Sequence, residues 1–165
     1  MAKGDISIHD VSGKNVVPTR TYQAESGETA MLAGEPVKLK SAGSPFVIPL
    51  ATAEPVIGTT TQVIGICASD SDATASANGT VQVYIPDAQV VWVVKATTVA
   101  NVDTKSELDA LQNDRVKFDL TGAIYTLDEN EGDAAASGLQ IVGGDFTTGD
   151  MYFTIRSAAT EGPIA

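Results

Sequence analysis

The residue types that do most enzymatic chemistry are scarce in this sequence. His9 is its only histidine and Cys67 its only cysteine. A hydrolytic triad needs a base held rigidly beside its nucleophile. His9 instead stands between Ile8 and Asp10 in a polar leader, where a solvated or interface histidine is expected. Cys67 lies in Val63-Ile64-Gly65-Ile66-Cys67-Ala68. A reactive thiolate wants positive charge nearby, and none is adjacent in sequence, so Cys67 reads as a small buried hydrophobe. One histidine and one cysteine cannot supply metal-ligand spacing. No phosphate-cradling glycine loop and no dinucleotide fingerprint occurs.

The carboxylates are more numerous but poorly spaced for catalysis. Asp128-Glu129-Asn130-Glu131-Gly132-Asp133 resembles a calcium loop at a glance. Its glycine comes one position early for an EF-hand, and Leu139 stands where the bidentate glutamate belongs. A solvated acidic loop is expected. Asp70 and Asp72 fall in a run of small polar residues, Ser69 to Ala77. A glycosidase places its two acids across a cleft, and nothing here specifies one. Asn78-Gly79-Thr80 has the glycosylation pattern but reads as a hairpin turn, because no secretory leader is expected from the first residues. The sequence therefore predicts no catalytic residues, no cofactor and no metal ligands.

The elements that position these residues are predicted to be strands. Val81, Val83 and Ile85 alternate with Gln82 and Tyr84, and Val116, Phe118 and Leu120 alternate with Lys117 and Asp119; a period of two marks a half-buried strand. Further strands are expected at Glu35 to Leu39, at Phe46 to Leu50 on an edge because of its prolines, and at Gln62 to Ala68, with Gly65 marking a bulge. The most apolar run is Val90 to Val94. It is followed in sequence by further strands at Ala123 to Leu127, Leu139 to Val142 and Met151 to Ile155. The exception is Thr104 to Leu111, where Thr104 and Glu107 fit a capping box and Leu108 and Leu111 share a helical face. About nine short strands separated by Gly, Asn and Asp turns predict an all-β fold, a β-sandwich or a jelly-roll-like barrel, with one short helix.

Residues 1–28 are read differently, as an extended N-terminal arm before a body at 29–165. Ile6, Ile8, Val11, Val16, Val17 and Tyr22 are too many apolar positions for an inert linker. Gly13 and Pro18 interrupt any regular element. An arm that orders against a partner is expected, with those residues plus Lys14 and Arg20 as its contacts. Deleting residues 1–22 is accordingly expected to leave the body folded. Val91 and Trp92, in a run apolar on both faces, are expected at an oligomer interface.

Charge narrows the partners. The chain carries a formal net charge of -11, which opposes nucleic-acid binding and docking on anionic membranes. Lys3, Lys14, Arg20, Lys38 and Lys40 balance Asp5, Asp10, Glu25, Glu28 and Glu35, so residues 1–40 are neutral. No Lys or Arg occurs from Ser41 to Val94. A single cysteine excludes an intrachain disulfide.

Three segments carry a resemblance to a known family. Ala33-Gly34-Glu35-Pro36-Val37, Val63-Ile64-Gly65-Ile66-Cys67-Ala68 and Asn78-Gly79-Thr80-Val81-Gln82-Val83-Tyr84-Ile85-Pro86 resemble, in this order, bacteriophage capsid cement (head decoration) proteins. Gly149 to Ile155 looks like a closing strand of that group. The resemblance covers residues 30–97, and 99–133 match no pattern of it. It implies a structural, non-enzymatic virion protein, made in the host cytoplasm and bound to the outer capsid surface. There it would bridge and stabilise major capsid protein subunits as a homo-oligomer, a trimer ahead of a dimer. Two other classes share this texture. One is a phage tail, fibre or host-glycan adhesin module; the other is a carboxylate-based hydrolase on a sandwich fold.

Overall fold

The computed structural model describes residues 6–11, 16–59 and 62–160. Its strands are β1 (Ser7–Val11), β2 (Thr19–Ala24), β3 (Pro36–Leu39), β4 (Val47–Pro49), β5 (Gly65–Cys67), β6 (Gly79–Tyr84) and β7 (Val90–Lys95). After helix α1 (Lys105–Ala110) come β8 (Arg115–Val116), β9 (Phe118–Thr121), β10 (Ile124–Leu127), β11 (Leu139–Asp145) and β12 (Asp150–Ile155). The fold is an all-β sandwich of two five-stranded antiparallel sheets, joined by the β9–β10 hairpin. One sheet has the order β1-β7-β12-β11-β8 and the other β2-β6-β5-β3-β4. A parallel bridge between Gln23 and Phe46 draws β2 toward the β4 end, so the second sheet curls.

Two apolar clusters follow from this curl. The larger packs Trp92, Val94, Phe118, Tyr125, Leu139, Ile141, Met151, Phe153 and Ile155 between the layers. The smaller fills the curled sheet with Met31, Val37, Leu39, Val47, Val81 and Val83. The β5 region feeds both: Val63 and Ile66 enter the first cluster, Ile64 and Cys67 the second. A strand between two cores must be apolar on both faces, which is why its sequence shows no alternation.

Gly65 does not mark a bulge. A Cβ there would stand 2.0 Å from the Tyr84 carbonyl oxygen, so the glycine permits close approach of β6. α1 forms as expected: the Thr104 side chain accepts from the Glu107 N–H and the Glu107 carboxylate accepts from the Thr104 N–H. Leu108 is its buried residue, seated against Gly144, where a Cβ would meet the leucine at 3.0 Å.

The leader departs from the expected free arm. β1 pairs antiparallel with β7, Ile8 opposite Trp92 and Val11 opposite Val90. β2 pairs with β6 along its whole length, from Thr19 opposite Tyr84 to Ala24 opposite Gly79. Each leader strand thus closes an edge of a different sheet of its own chain. The physical reason is in the flanks: Ile6 and Val17, just outside the strands, are each 4% exposed and belong to the larger core. Backbone pairing and those two side chains hold the leader at home.

Candidate protein-binding surface

The side chains flagged for chemistry are committed to structure. Cys67 is buried, and burial, aided by the charges of Glu35 and Asp70, pushes its thiol up to about 12. Such a thiol stays protonated near neutrality. His9, at a bulge in β1, stacks on Tyr152 of β12 with ring centroids 3.7 Å apart and planes 15° from parallel. Asp70 accepts from the Ala33 N–H at 2.8 Å, and Asp72 accepts from the Thr80 N–H. Both aspartates pin loops.

Within the acidic run at 128–133, Glu129 and Glu131 are bonded internally, which corrects the expected solvated loop at those two residues, while Asn130, Gly132 and Asp133 are exposed. Glu129 is 4% exposed. Its carboxylate accepts from the Thr97 N–H at 3.0 Å, the Thr98 N–H at 3.1 Å and the Asn101 amide at 3.1 Å. Glu131 pairs with Lys117 at 2.5 Å and accepts from the Ser137 hydroxyl at 2.9 Å. Arg115 clasps Asp133 through two nitrogens and holds its carboxyl below the usual range. Among the described residues no group of three or more His, Cys, Asp or Glu side chains is placed to hold a metal ion. No described helix is long and apolar enough to cross a membrane.

The residues predicted to contact partners divide into two sets. Ile6 and Val17 are buried, Ile8 and Val11 pack half-buried on the larger core, and Tyr22 packs on the smaller one. Lys14 lies outside the described residues. Val16 and Arg20 face solvent, Val16 at 75% exposure. The interface expectation for Trp92 is overturned: the indole is fully buried in its own chain, 6.0 Å from the Tyr84 ring. Val91 is half-buried opposite Asp10 of β1. Val93 is only 7% exposed within its own chain.

What remains presented is β2. Thr19, Arg20, Thr21 and Gln23 are all exposed, and Thr21 accepts from the Gln82 amide at 2.6 Å on the neighbouring strand. The other described cations are engaged: Lys38 with Glu54, Lys40 with Glu25 and Glu28, Lys95 with Asp150, Lys105 with Asp109, Arg115 with Asp133 and Lys117 with Glu131. Arg156 donates to the Ala135 and Ser137 carbonyls. Arg20 alone among the described residues is a cation with no partner. Sequence reasoning singled it out but could not see that its competitors for a partner are all paired.

No protein-family model matches this chain. No curated protein matches it either.

Proposed function

We propose that this chain is a structural virion protein that binds the outside of a phage capsid and stabilises it by bridging major capsid protein subunits. The observation that carries the reading is the exposed β2 strand, whose Arg20 has no partner among the described residues, preceded in the chain by the exposed apolar Val16, on a chain of net charge -11. An exposed guanidinium and an exposed apolar side chain in the same leader segment suit a protein surface with an acidic rim. The resemblance of residues 30–97 to capsid cement proteins points to a shell as that surface. Binding an assembled lattice and not its dissociated subunits stabilises the lattice by linkage, and many copies multiply a modest affinity. A homotrimer on the outer surface belongs to the same proposal.

Pelleting with expanded, empty phage shells tests it. The wild-type protein is expected to sediment with the shells. Arg20→Glu and Val16→Asp change exposed side chains, so both variants fold and remain in the supernatant. Wild-type protein that never sediments with any shell overturns the proposal.

A further inference from the structure

The β9–β10 hairpin divides its side chains between two faces. One face sends Phe118, Tyr125 and Leu127 into the larger core. The other sets Asp119 directly opposite Thr126, and Thr121 directly opposite Ile124. Those four side chains, with Thr97 from the segment after β7, line one concavity of about 250 Å³. Strand register and cavity agree, so the five residues share one surface. The buried ring and leucine side chains behind it anchor the hairpin, so this surface is formed before any ligand arrives.

Its hydrogen-bonding capacity is specific. The Thr52 hydroxyl donates to Asp119 Oδ1 at 2.9 Å and accepts from the Leu120 N–H at 3.2 Å. That fixes the carboxylate, while its Oδ2 has no partner among the described residues. The Thr97 hydroxyl donates to the Leu127 carbonyl at 3.0 Å and lies 2.7 Å from the Thr126 hydroxyl. A hydroxyl has one hydrogen, so Thr126 donates to Thr97 and keeps its lone pairs for an incoming donor. The exposed Thr121 hydroxyl has no partner among the described residues and can both give and accept. Ile124, 43% exposed, supplies an aliphatic wall.

We infer that this face of the β9–β10 hairpin is a saccharide site that takes one neutral sugar ring. An anion would meet the Asp119 charge. A hard cation wants six or more oxygen ligands, and Asp119 is the one carboxylate in the lining. A neutral ring satisfies the whole set. Its hydroxyls donate to Asp119 Oδ2 and Thr126 and accept from Thr121, and its C–H face packs on Ile124. The bond to the carboxylate is charge-assisted and is the strongest of these. The concavity is larger than a water or an ion needs and smaller than a usual pocket for a drug-sized ligand, which suits a single ring. The site stands independently of the shell-binding reading.

The test titrates the isotopically labelled full chain with the methyl glycosides of glucose, galactose, mannose and N-acetylglucosamine at millimolar concentrations, with Nα-acetyl-lysine amide as a cationic control. At least one glycoside is expected to give saturable shifts of the amide resonances of Asp119, Thr121, Ile124 and Thr126. Added salt is expected to leave that binding unchanged, because the ligand carries no charge. Asp119→Asn keeps an oxygen for the Thr52 hydroxyl and removes the charge, and is expected to weaken binding about tenfold. Ile124→Ser is expected to weaken it several-fold. Thermal melts of both variants separate lost binding from lost fold, and where one variant melts early the other carries the test. Four glycosides that leave these resonances unmoved overturn the inference. So does binding that both variants retain in full. Shifts produced by the lysine derivative and not by the glycosides also overturn it, and make the face a cation subsite instead.

Discussion

The phenol of Tyr125, in β10, donates a 2.6 Å hydrogen bond to the backbone carbonyl of Leu50, just beyond β4. Both residues are 1% exposed, so neither group has water as an alternative. The bond ties the hairpin to the curled sheet, while Phe118 meets the Tyr125 ring edge-on at 6.0 Å. Burial, with Glu35, Cys67 and Glu54 nearby, raises the phenol well above its usual range. It remains a donor at any working pH. Tyr125→Phe keeps the ring and strands the Leu50 carbonyl. A loss of about 1–3 kcal/mol is expected, read as a lower urea midpoint at unchanged slope. An unchanged midpoint would show that the two layers do not depend on this bond.

The leader is expected to matter for stability first. Ile6→Ala removes a buried side chain next to an edge strand, and a cost of about 2–4 kcal/mol follows from the cavity and lost transfer energy. Val17→Ala is expected to cost somewhat less, and Val16→Ala almost nothing because Val16 is 75% exposed. Removing residues 1–22 takes away β1 and most of β2 and is expected to expose the edges of β7 and β6. That reverses the outcome expected from sequence, of a body indifferent to its leader. Thermal melts of the variants decide it: a truncated chain melting with the full-length one would restore the free arm.

The contrast shows what the sequence could and could not reveal. Strands with strong alternation, such as Val81 and Val83 or Phe118 and Leu120, were legible because one face is buried and the other wet. The capping box at Thr104 and Glu107 was equally plain, since it is local. The leader was not, because its buried residues flank its strands and β2 itself is nearly all exposed. Pairing partners far away in sequence supply its order. The place of Trp92 departs from expectation for a similar reason. Val90 to Val94 is apolar on both faces, and sequence cannot tell a subunit interface from a face covered at home. Here His9 and Tyr152 stack on the outer side of that sheet. The binding surface was half legible: Arg20 and Val16 appear in the predicted set, while the engagement of other cations, such as Lys38 by Glu54 and Arg115 by Asp133, depends on residues far apart in sequence.

Glu35 offers a pH signature. Glu35 is 9% exposed, and burial raises its pKa above the ordinary 4.5, with the Leu32 N–H opposing and the Asp70 charge adding. The folded state therefore holds this proton more tightly than the unfolded chain. The ionised form costs no stability below the unfolded value, and the cost enters as pH climbs through the folded value. Glu35→Gln keeps an acceptor for the Leu32 N–H and removes the charge. The variant is expected to be more stable than wild type at neutral pH, with the advantage shrinking to nothing as pH falls below 4.5. Denaturant midpoints measured across that range test it; a variant weaker than wild type at neutral pH contradicts the assignment.

Glu129 separates a structural carboxylate from a cation ligand. Its oxygens are taken up by the Thr97 and Thr98 N–H groups and by the Asn101 and Asn130 amides. These bonds hold the turn at Val99–Asn101 against the start of the 128–133 run. Hydrogen bonds to a charged acceptor are stronger than neutral ones. Glu129→Ala leaves the Thr98 N–H without its acceptor and is expected to cost about 2 kcal/mol. Calcium should leave the wild-type melting temperature where it is, since Glu129 and Asp133 are held by donors of their own chain and the charge of Glu131 is paired with Lys117. A melting temperature that rises and saturates with calcium, and no longer does so in Glu129→Ala, would instead make this run a cation site.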